Sequence, residues 1–256
     1  DPDSLKNNTI TPNAFASASK DYTYYEGLAA YTDGDNFDEA LAAEYKAAAM
    51  DELTAAGATF PVKMLMCYNP TSANWAQECQ VVEQQIETVL GADYVDIIIQ
   101  AGPETGFLGA IRRTGKYAFM KCNWGADYAD PETWTDPFST DSSYSFIFKS
   151  TDPETQALYA EYTELVAAAK AITDDMDARY TAFAKAEAFL LDHAFAVPFS
   201  ISNRSYQMCN LNVFEGQYAS FGLANQRYKD QHLYSSSMGL EEYQAAYAEW
   251  QSKKAG

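Results

Sequence analysis

One short stretch gathers the residue types best suited to chemistry: Cys122-Asn123-Trp124-Gly125-Ala126-Asp127-Tyr128. An acid framed by aromatic rings suits an ammonium group, because the carboxylate pairs with the cation and the ring faces attract it. Asp127 and Asp130 could instead form a carboxylate pair acting on a glycoside, a chemistry that needs a set separation across the sugar. In a third reading Asp127 is a turn former and Trp124 fills core. Nucleophilic catalysis has little support. The chain carries no GxSxG elbow, the sharp turn that presents a nucleophilic serine. His193 closes a helical stretch beside Asp192, where it complements the negative dipole end. His232 has no recognisable partner. The acid pairs Asp38/Glu39, Asp51/Glu52 and Glu241/Glu242 fall on exposed helix faces. Asp174-Asp175-Met176-Asp177 lacks the glycine and terminal glutamate of a calcium loop. No cofactor or metal is expected, and the chain reads as a binding lobe rather than an enzyme.

The elements around this stretch say how it is positioned. Tyr117–Trp124 reads as a strand, apolar on both faces at its start and polar only at its carboxyl end. Gly125 then frees the backbone and Asp127 follows. In open α/β sheets, ligands bind beyond the carboxyl ends of strands. Upstream, Val62–Tyr68 and Val95–Ile99 read as strands. Between them, Trp75, Cys79, Val82, Ile86 and Leu90 trace a helix face from a Thr71 or Ser72 cap to Gly91. Strand, helix and strand within about 40 residues mark a parallel βαβ unit. An earlier helix is expected from Phe37, with Asn36 as cap and Phe37, Leu41, Tyr45, Ala49 and Leu53 on one face. Phe107–Thr114 reads as a short helix.

Beyond Trp124 runs a long polar excursion anchored by Trp134 and Phe138. Loops of that length are commonly functional. Asp152-Pro153-Glu154 starts a helix with Leu158, Tyr162, Leu165 and Ala169 inward. A second runs from Asp175 to Leu191, with Met176, Tyr180, Phe183 and Leu190 inward. Phe195, Val197, Phe199 and Ile201 alternate as a strand, with Pro198 suggesting an edge. Residues 1–36 and 203–238 read as irregular, and Glu241–Ser252 as a last helix. The class is α/β.

The totals narrow the partners. Acids outnumber bases 36 to 17, for a formal charge of −19. Such a surface repels nucleic acid and anionic membrane, which need Lys and Arg to displace counterions. With 47% hydrophobic and 14% aromatic residues, the chain can bury a core, so disorder is not expected. No run of about 20 apolar residues is present to span a membrane, and no signal or lipidation sequence is visible. The chain starts at Asp1 without methionine, as expected of a processed or excised piece. The four cysteines, Cys67, Cys79, Cys122 and Cys209, show no zinc spacing and are expected as buried free thiols.

Asn123-Trp124-Gly125-Ala126-Asp127-Tyr128-Ala129-Asp130-Pro131 resembles the tryptophan, aspartate, tyrosine and proline stretch of the family 5 solute-binding proteins. These are the oligopeptide- and dipeptide-binding components of ABC importers. Pro61–Tyr68 with the Trp75–Leu90 helix, Ala186-Glu187 through Pro198-Phe199, and Gly239–Ala255 are similar to further family segments in the same order. The resemblance covers roughly residues 35–256. It implies a periplasmic-binding-protein-like lobe of type II (cluster C), a mixed sheet flanked by helices, with all of 1–256 as the C-terminal lobe of a two-lobed clamp. Part of 203–256 would return towards a missing N-terminal lobe.

The resemblance also implies roles. Asp127 would pair with a peptide's α-amino group and Trp124 would line the pocket, with Tyr128 also matching the motif. Asn123 and Trp134 are further candidate ligand-binding residues, Trp134 as a ring that could stack on a sugar. The partners would be a peptide and the membrane permease of an ABC importer, at an extracytoplasmic site, as a cell-surface lipoprotein or in the periplasm. Relatives of this scaffold carry sugars, nickel chelates or haem, which leaves a non-peptide solute as the alternative. A glycoside hydrolase using Asp127 and Asp130 is the remote one. Lys121 stands where some peptide binders carry arginine. With Arg112, Arg113 and Lys116 it forms a basic cluster that could meet a ligand carboxylate, although structural ion pairs are the expected role in so acidic a chain.

Overall fold

The structure, a computed structural model, describes residues 7–34, 36–144, 146–147, 149–201, 208–216 and 228–254. In chain order the elements are α1 (Ala29–Thr32), α2 (Glu39–Ala55), β1 (Val62–Tyr68), α3 (Trp75–Leu90), β2 (Val95–Ala101), α4 (Phe107–Ala110), α5 (Glu132–Thr135), α6 (Pro153–Ala171), α7 (Met176–Asp192) and α8 (Leu240–Lys254). Short 3-10 turns lie at Tyr22–Tyr24, Arg112–Thr114 and Asp136–Phe138. The chain is helix-rich α/β with a small sheet. None of its helices, among the described residues, is long and apolar enough to cross a membrane.

The βαβ unit forms as its periodicity predicts. β1 and β2 pair in parallel, Val62 opposite Val95 and Tyr68 opposite Ala101. α3 lies across the pair and closes a small core of Met66, Cys79, Val95 and Ile97. Gly91 ends α3 at φ +89°, in the left-handed half of backbone space that glycine enters at little cost. The start of α3 departs from expectation. Its cap position is Asn74, at φ +65° and without a side-chain cap bond. Thr71 is engaged elsewhere: its amide and hydroxyl both donate to the Asn69 side chain, at 3.0 and 2.8 Å.

Two expected strands are not formed. Tyr117–Trp124 meets β1 through one bridge, Met66 to Phe119, with the Ala118 amide donating to the Leu65 carbonyl at 2.8 Å. It lies parallel to β1 at that bridge but then leaves the sheet, because its far end is bonded into the Thr133 turn described below. Residues 195–201 reach no more than an isolated bridge residue at Ser200. Ala194 turns the chain at φ +52°, Pro198 offers no amide to a ladder, and Val197 is left 77% exposed.

α2 also differs from its reading. Asp38, not Asn36, caps it, accepting from the Leu41 amide at 2.9 Å. The periodic stripe is only partly covered: Phe37, Leu41 and Tyr45 are exposed, Ala49 and Leu53 are half-buried, and the helix fully buries no residue. The cysteines are all free; Cys67 and Cys79 are buried as expected, whereas Cys122 is exposed.

The main core is built by α6, α7 and, against expectation, residues drawn from 10–31. Tyr22 and Leu28 are fully buried with Tyr162 and Val166 of α6 and Phe183 and Leu190 of α7. Met176, expected inward, is exposed. The irregular lead-in is held by polar anchors on α7. Glu187, fully buried, accepts from the Thr11 amide at 2.9 Å, the Thr11 hydroxyl at 2.7 Å and the Tyr22 hydroxyl at 3.0 Å. Asp177 accepts from the Ser19 amide at 3.2 Å, and from the Ser19 and Tyr25 hydroxyls. Backbone without regular structure is thus satisfied by side chains rather than by a ladder.

α7 starts at Asp175, whose side chain accepts from the Ala178 amide at 2.9 Å. Because an N-cap satisfies an otherwise orphaned helix amide, Asp175→Ala is expected to cost about 1 kcal/mol, read as a lower urea midpoint with an unchanged slope. An unchanged midpoint would show the cap to be idle.

Candidate functional site

The polar excursion after Trp124 folds into a compact turn. Pro131 sits at the cap position of α5, and Asp130 accepts from the Glu132 amide at 2.9 Å. That turn presents Thr133 as a double anchor. Its carbonyl accepts from the Trp124 indole N–H at 2.7 Å, and its hydroxyl oxygen accepts from the Asp127 amide at 3.0 Å. Trp124 and Asp127 are therefore fixed to one residue on the far side of the turn. Tyr144 packs edge-on against Trp124, ring centroids 4.6 Å apart.

Trp124, Asp127, Tyr128, Thr133, Asp136 and Tyr144 line a hollow of about 250 Å³, including the solvent at its mouth. Its electrostatics are uneven. Asp136 is paired with Lys170 of α6 at 2.9 Å. Asp130 and Glu132 are paired with Arg179 of α7 at 3.0 and 2.8 Å. No described residue pairs with the Asp127 carboxylate; only its amide is used. Burial, with Glu132, Asp130 and Asp136 nearby, pushes the Tyr128 hydroxyl up to about 12, so at neutral pH it is a neutral donor. The hollow therefore offers one unpaired anion walled by Trp124, Tyr128 and Tyr144, an arrangement suited to an organic cation.

Of the residues singled out in the sequence, Trp124, Asp127 and Tyr128 come together here. Asn123 is exposed and does not line the hollow. Trp134 lies in the main core at 8% exposure, edge-on to Phe15 with centroids 5.5 Å apart. The hydrolytic pairing of Asp127 with Asp130 is not what the geometry supports. Asp130 takes both Nε and Nη2 of Arg179 at 3.0 Å, so both of its oxygens are occupied by the guanidinium rather than free for a substrate. Two members of the basic cluster have structural partners. Lys121 pairs with Glu78, and the Arg112 guanidinium lies 4.9 Å from the Phe146 ring centroid. Sequence reasoning missed Thr133, Asp136, Tyr144, Lys170 and Arg179. The signal available was four acids within ten residues, at 127, 130, 132 and 136, which need cations from elsewhere in the fold.

The α/β fold is one shared with solved peptide-binding proteins of the periplasmic-binding-protein-like fold. The homologues of this chain are oligopeptide-binding proteins. It is 29% identical over 235 residues to oligopeptide-binding protein AmiA of Streptococcus pneumoniae, covering 86% of this chain and 35% of that protein. It is 30% identical over 247 residues to AliA of the same organism, covering 89% of this chain and 37% of that one. The chain thus spans little more than a third of the length of these relatives.

Solved structures agree on the fold. The substrate-binding domain of an oligopeptide ABC transporter from Bacillus anthracis superposes with TM-score 0.65 at 23% identity, covering 90% of this chain and 41% of that one. A peptide-binding protein of a peptide ABC transporter superposes with TM-score 0.61 at 24% identity, covering 78% and 82%. No family model matches the chain.

Proposed function

We propose that this chain is the C-terminal lobe of an extracytoplasmic peptide-binding protein serving an ABC importer, and that Asp127 receives the ligand's α-ammonium group. The observation that carries this is the Asp127 carboxylate, unpaired among the described residues in a hollow walled by Trp124, Tyr128 and Tyr144. The homology to oligopeptide-binding proteins supports a peptide as the ligand. A second lobe of the same polypeptide closes over the hollow, and a membrane permease receives the peptide. The protein works outside the cytoplasm, as a surface lipoprotein or in the periplasm, and performs no catalysis.

The test uses the full-length protein and a synthetic library of tri- to hexapeptides, unmodified and N-acetylated. Retained peptides are identified by mass spectrometry and titrated calorimetrically. Unmodified peptides are expected to be retained over acetylated ones. Asp127→Asn is expected to weaken them by about 1.5–3 kcal/mol, the usual worth of a hydrogen bond to a charged group. Equal retention of both forms would remove the α-amine role, and a library wholly unretained would remove the peptide.

A further inference from the structure

The acid-rich turn raises a question of charge. Asp127, Asp130, Glu132 and Asp136 lie within ten residues, yet among the described residues only Asp127 is left without a cation. Two helices of the main core decide this. Lys170 near the end of α6 takes Asp136 and reaches Glu132 at 3.5 Å. Arg179 in α7 takes Asp130 through two parallel bonds of 3.0 Å and Glu132 through one of 2.8 Å.

Arg179 is the better placed of the two. It is 9% exposed, and its Nη1 donates to the carbonyls of Ala169, Lys170 and Ile172 at 3.3, 3.2 and 3.0 Å. Those carbonyls belong to the end of α6, where unsatisfied acceptors and the helix dipole favour a cation. Its carbon centre lies 4.7 Å from the Phe183 ring centroid. Each nitrogen of the fork is committed, so the guanidinium sits in one orientation. A lysine offers a point charge in place of this fork and could not hold both sets of partners.

A continuous path leads from this residue to the hollow. Asp130, gripped by Arg179, accepts the Glu132 amide on its side chain and the Thr133 amide on its carbonyl at 3.1 Å. Thr133 in turn holds the Asp127 amide and the Trp124 indole. We infer that Arg179 is the positioning residue of this site. It fixes the turn that presents Asp127 and Trp124, and it pairs with the neighbouring Asp130 and Glu132, so that among the described residues Asp127 is left unpaired for the ligand. The inference rests on the reading of Asp127 as the ammonium partner.

The test is a double-substitution cycle in the full-length protein: wild type, Arg179→Lys, Asp127→Asn and the two together. The probe is the tightest unmodified library peptide, with its N-acetylated form as control. Calorimetry separates affinity from the competent fraction. Arg179→Lys is expected to weaken the unmodified peptide roughly tenfold at unchanged stoichiometry, the scale of coupling between residues in one network. It should leave the acetylated peptide unaffected, and cost nothing further once Asp127 is Asn.

A purely structural role would lower the competent fraction, or weaken binding equally in both backgrounds, and either result overturns the inference. So does an unchanged affinity in Arg179→Lys when Asp127→Asn is impaired. An unchanged affinity in Asp127→Asn overturns the α-amine reading, and the inference with it. If Arg179→Lys does not fold, Asp130→Asn carries the same cycle. It leaves Arg179 its carbonyl partners and Glu132, and the same loss confined to the unmodified peptide is expected.

Discussion

Glu187→Ala is expected to destabilise the chain by about 3–5 kcal/mol, the sum of several orphaned donors and a small cavity. The carboxylate is fully buried, yet it is the acceptor for the Thr11 amide, the Thr11 hydroxyl and the Tyr22 hydroxyl. Truncation strands all three in a place water does not reach. Glu187→Gln should be far milder, since its carbonyl oxygen can take the amide and the two hydroxyls can turn to accept from its NH₂.

The pair of variants also gives a pH signature. Burial raises the Glu187 carboxyl above its ordinary value, against the lowering effect of the Thr11 and Tyr22 bonds. A group whose folded-state affinity for protons is raised contributes stability that is complete below its unfolded value and is lost as pH rises through the folded one. The stability of wild type relative to Glu187→Gln is therefore expected to fall as pH rises above about 4.3, the unperturbed glutamate value. Urea unfolding of both proteins between pH 4 and 8 would measure it. A difference independent of pH, or one that grows with pH, would mean that Glu187 is not held against its charge.

Trp134→Ala is expected to cost about 3–5 kcal/mol as a large cavity in the main core. The ring is 8% exposed and packs edge-on against Phe15, so its loss loosens the lead-in together with α5. Trp134→Phe, which keeps most of the volume, should recover much of that stability. In the full-length protein, Trp134→Phe is expected to bind peptide like wild type. The sequence reading had placed Trp134 on the ligand. If Trp134→Phe folds at wild-type stability but loses affinity, that reading is right and the core assignment is incomplete.

The contrast between Trp124 and Trp134 shows what the sequence could convey. Both are tryptophans near acids in one polar excursion, and residue type alone treats them as equals. What separates them is tertiary: Trp124 is turned by the Thr133 carbonyl towards the hollow, whereas Trp134 falls on the inner side of α5 against residues more than 100 positions away. Elements written in local periodicity were legible, including β1, α3, β2, α6 and α7 within a residue or two. So was the Asp152 cap, confirmed by its bond from the Thr155 amide at 2.8 Å.

The 117–124 strand was misjudged because its apolar alternation was sound but its far end belongs to a turn. The α2 stripe misled differently: periodicity forecasts an apolar face, and nothing in the pattern says whether this stretch of chain supplies its cover. At the site, Asp127 was legible as an acid among rings. Its isolation was not, because that depends on Lys170 and Arg179, which come from helices 43 or more residues downstream.

The bond between Thr11 and Glu187 joins positions 176 residues apart, and this sets an order of events during synthesis. The β1–α3–β2 unit is complete once residue 101 has been made, and its contacts are short in sequence. The main core is different: Tyr22 and Leu28 have no α7 to lie against until about residue 190 leaves the ribosome. Until then residues 10–31 are an open flank carrying large aromatic rings. Closing so long a loop is entropically dearer than any local step, and folds dominated by such distant pairings form slowly. The lead-in, made before the helices that hold it, is thus the last part of this fold that can be laced into place.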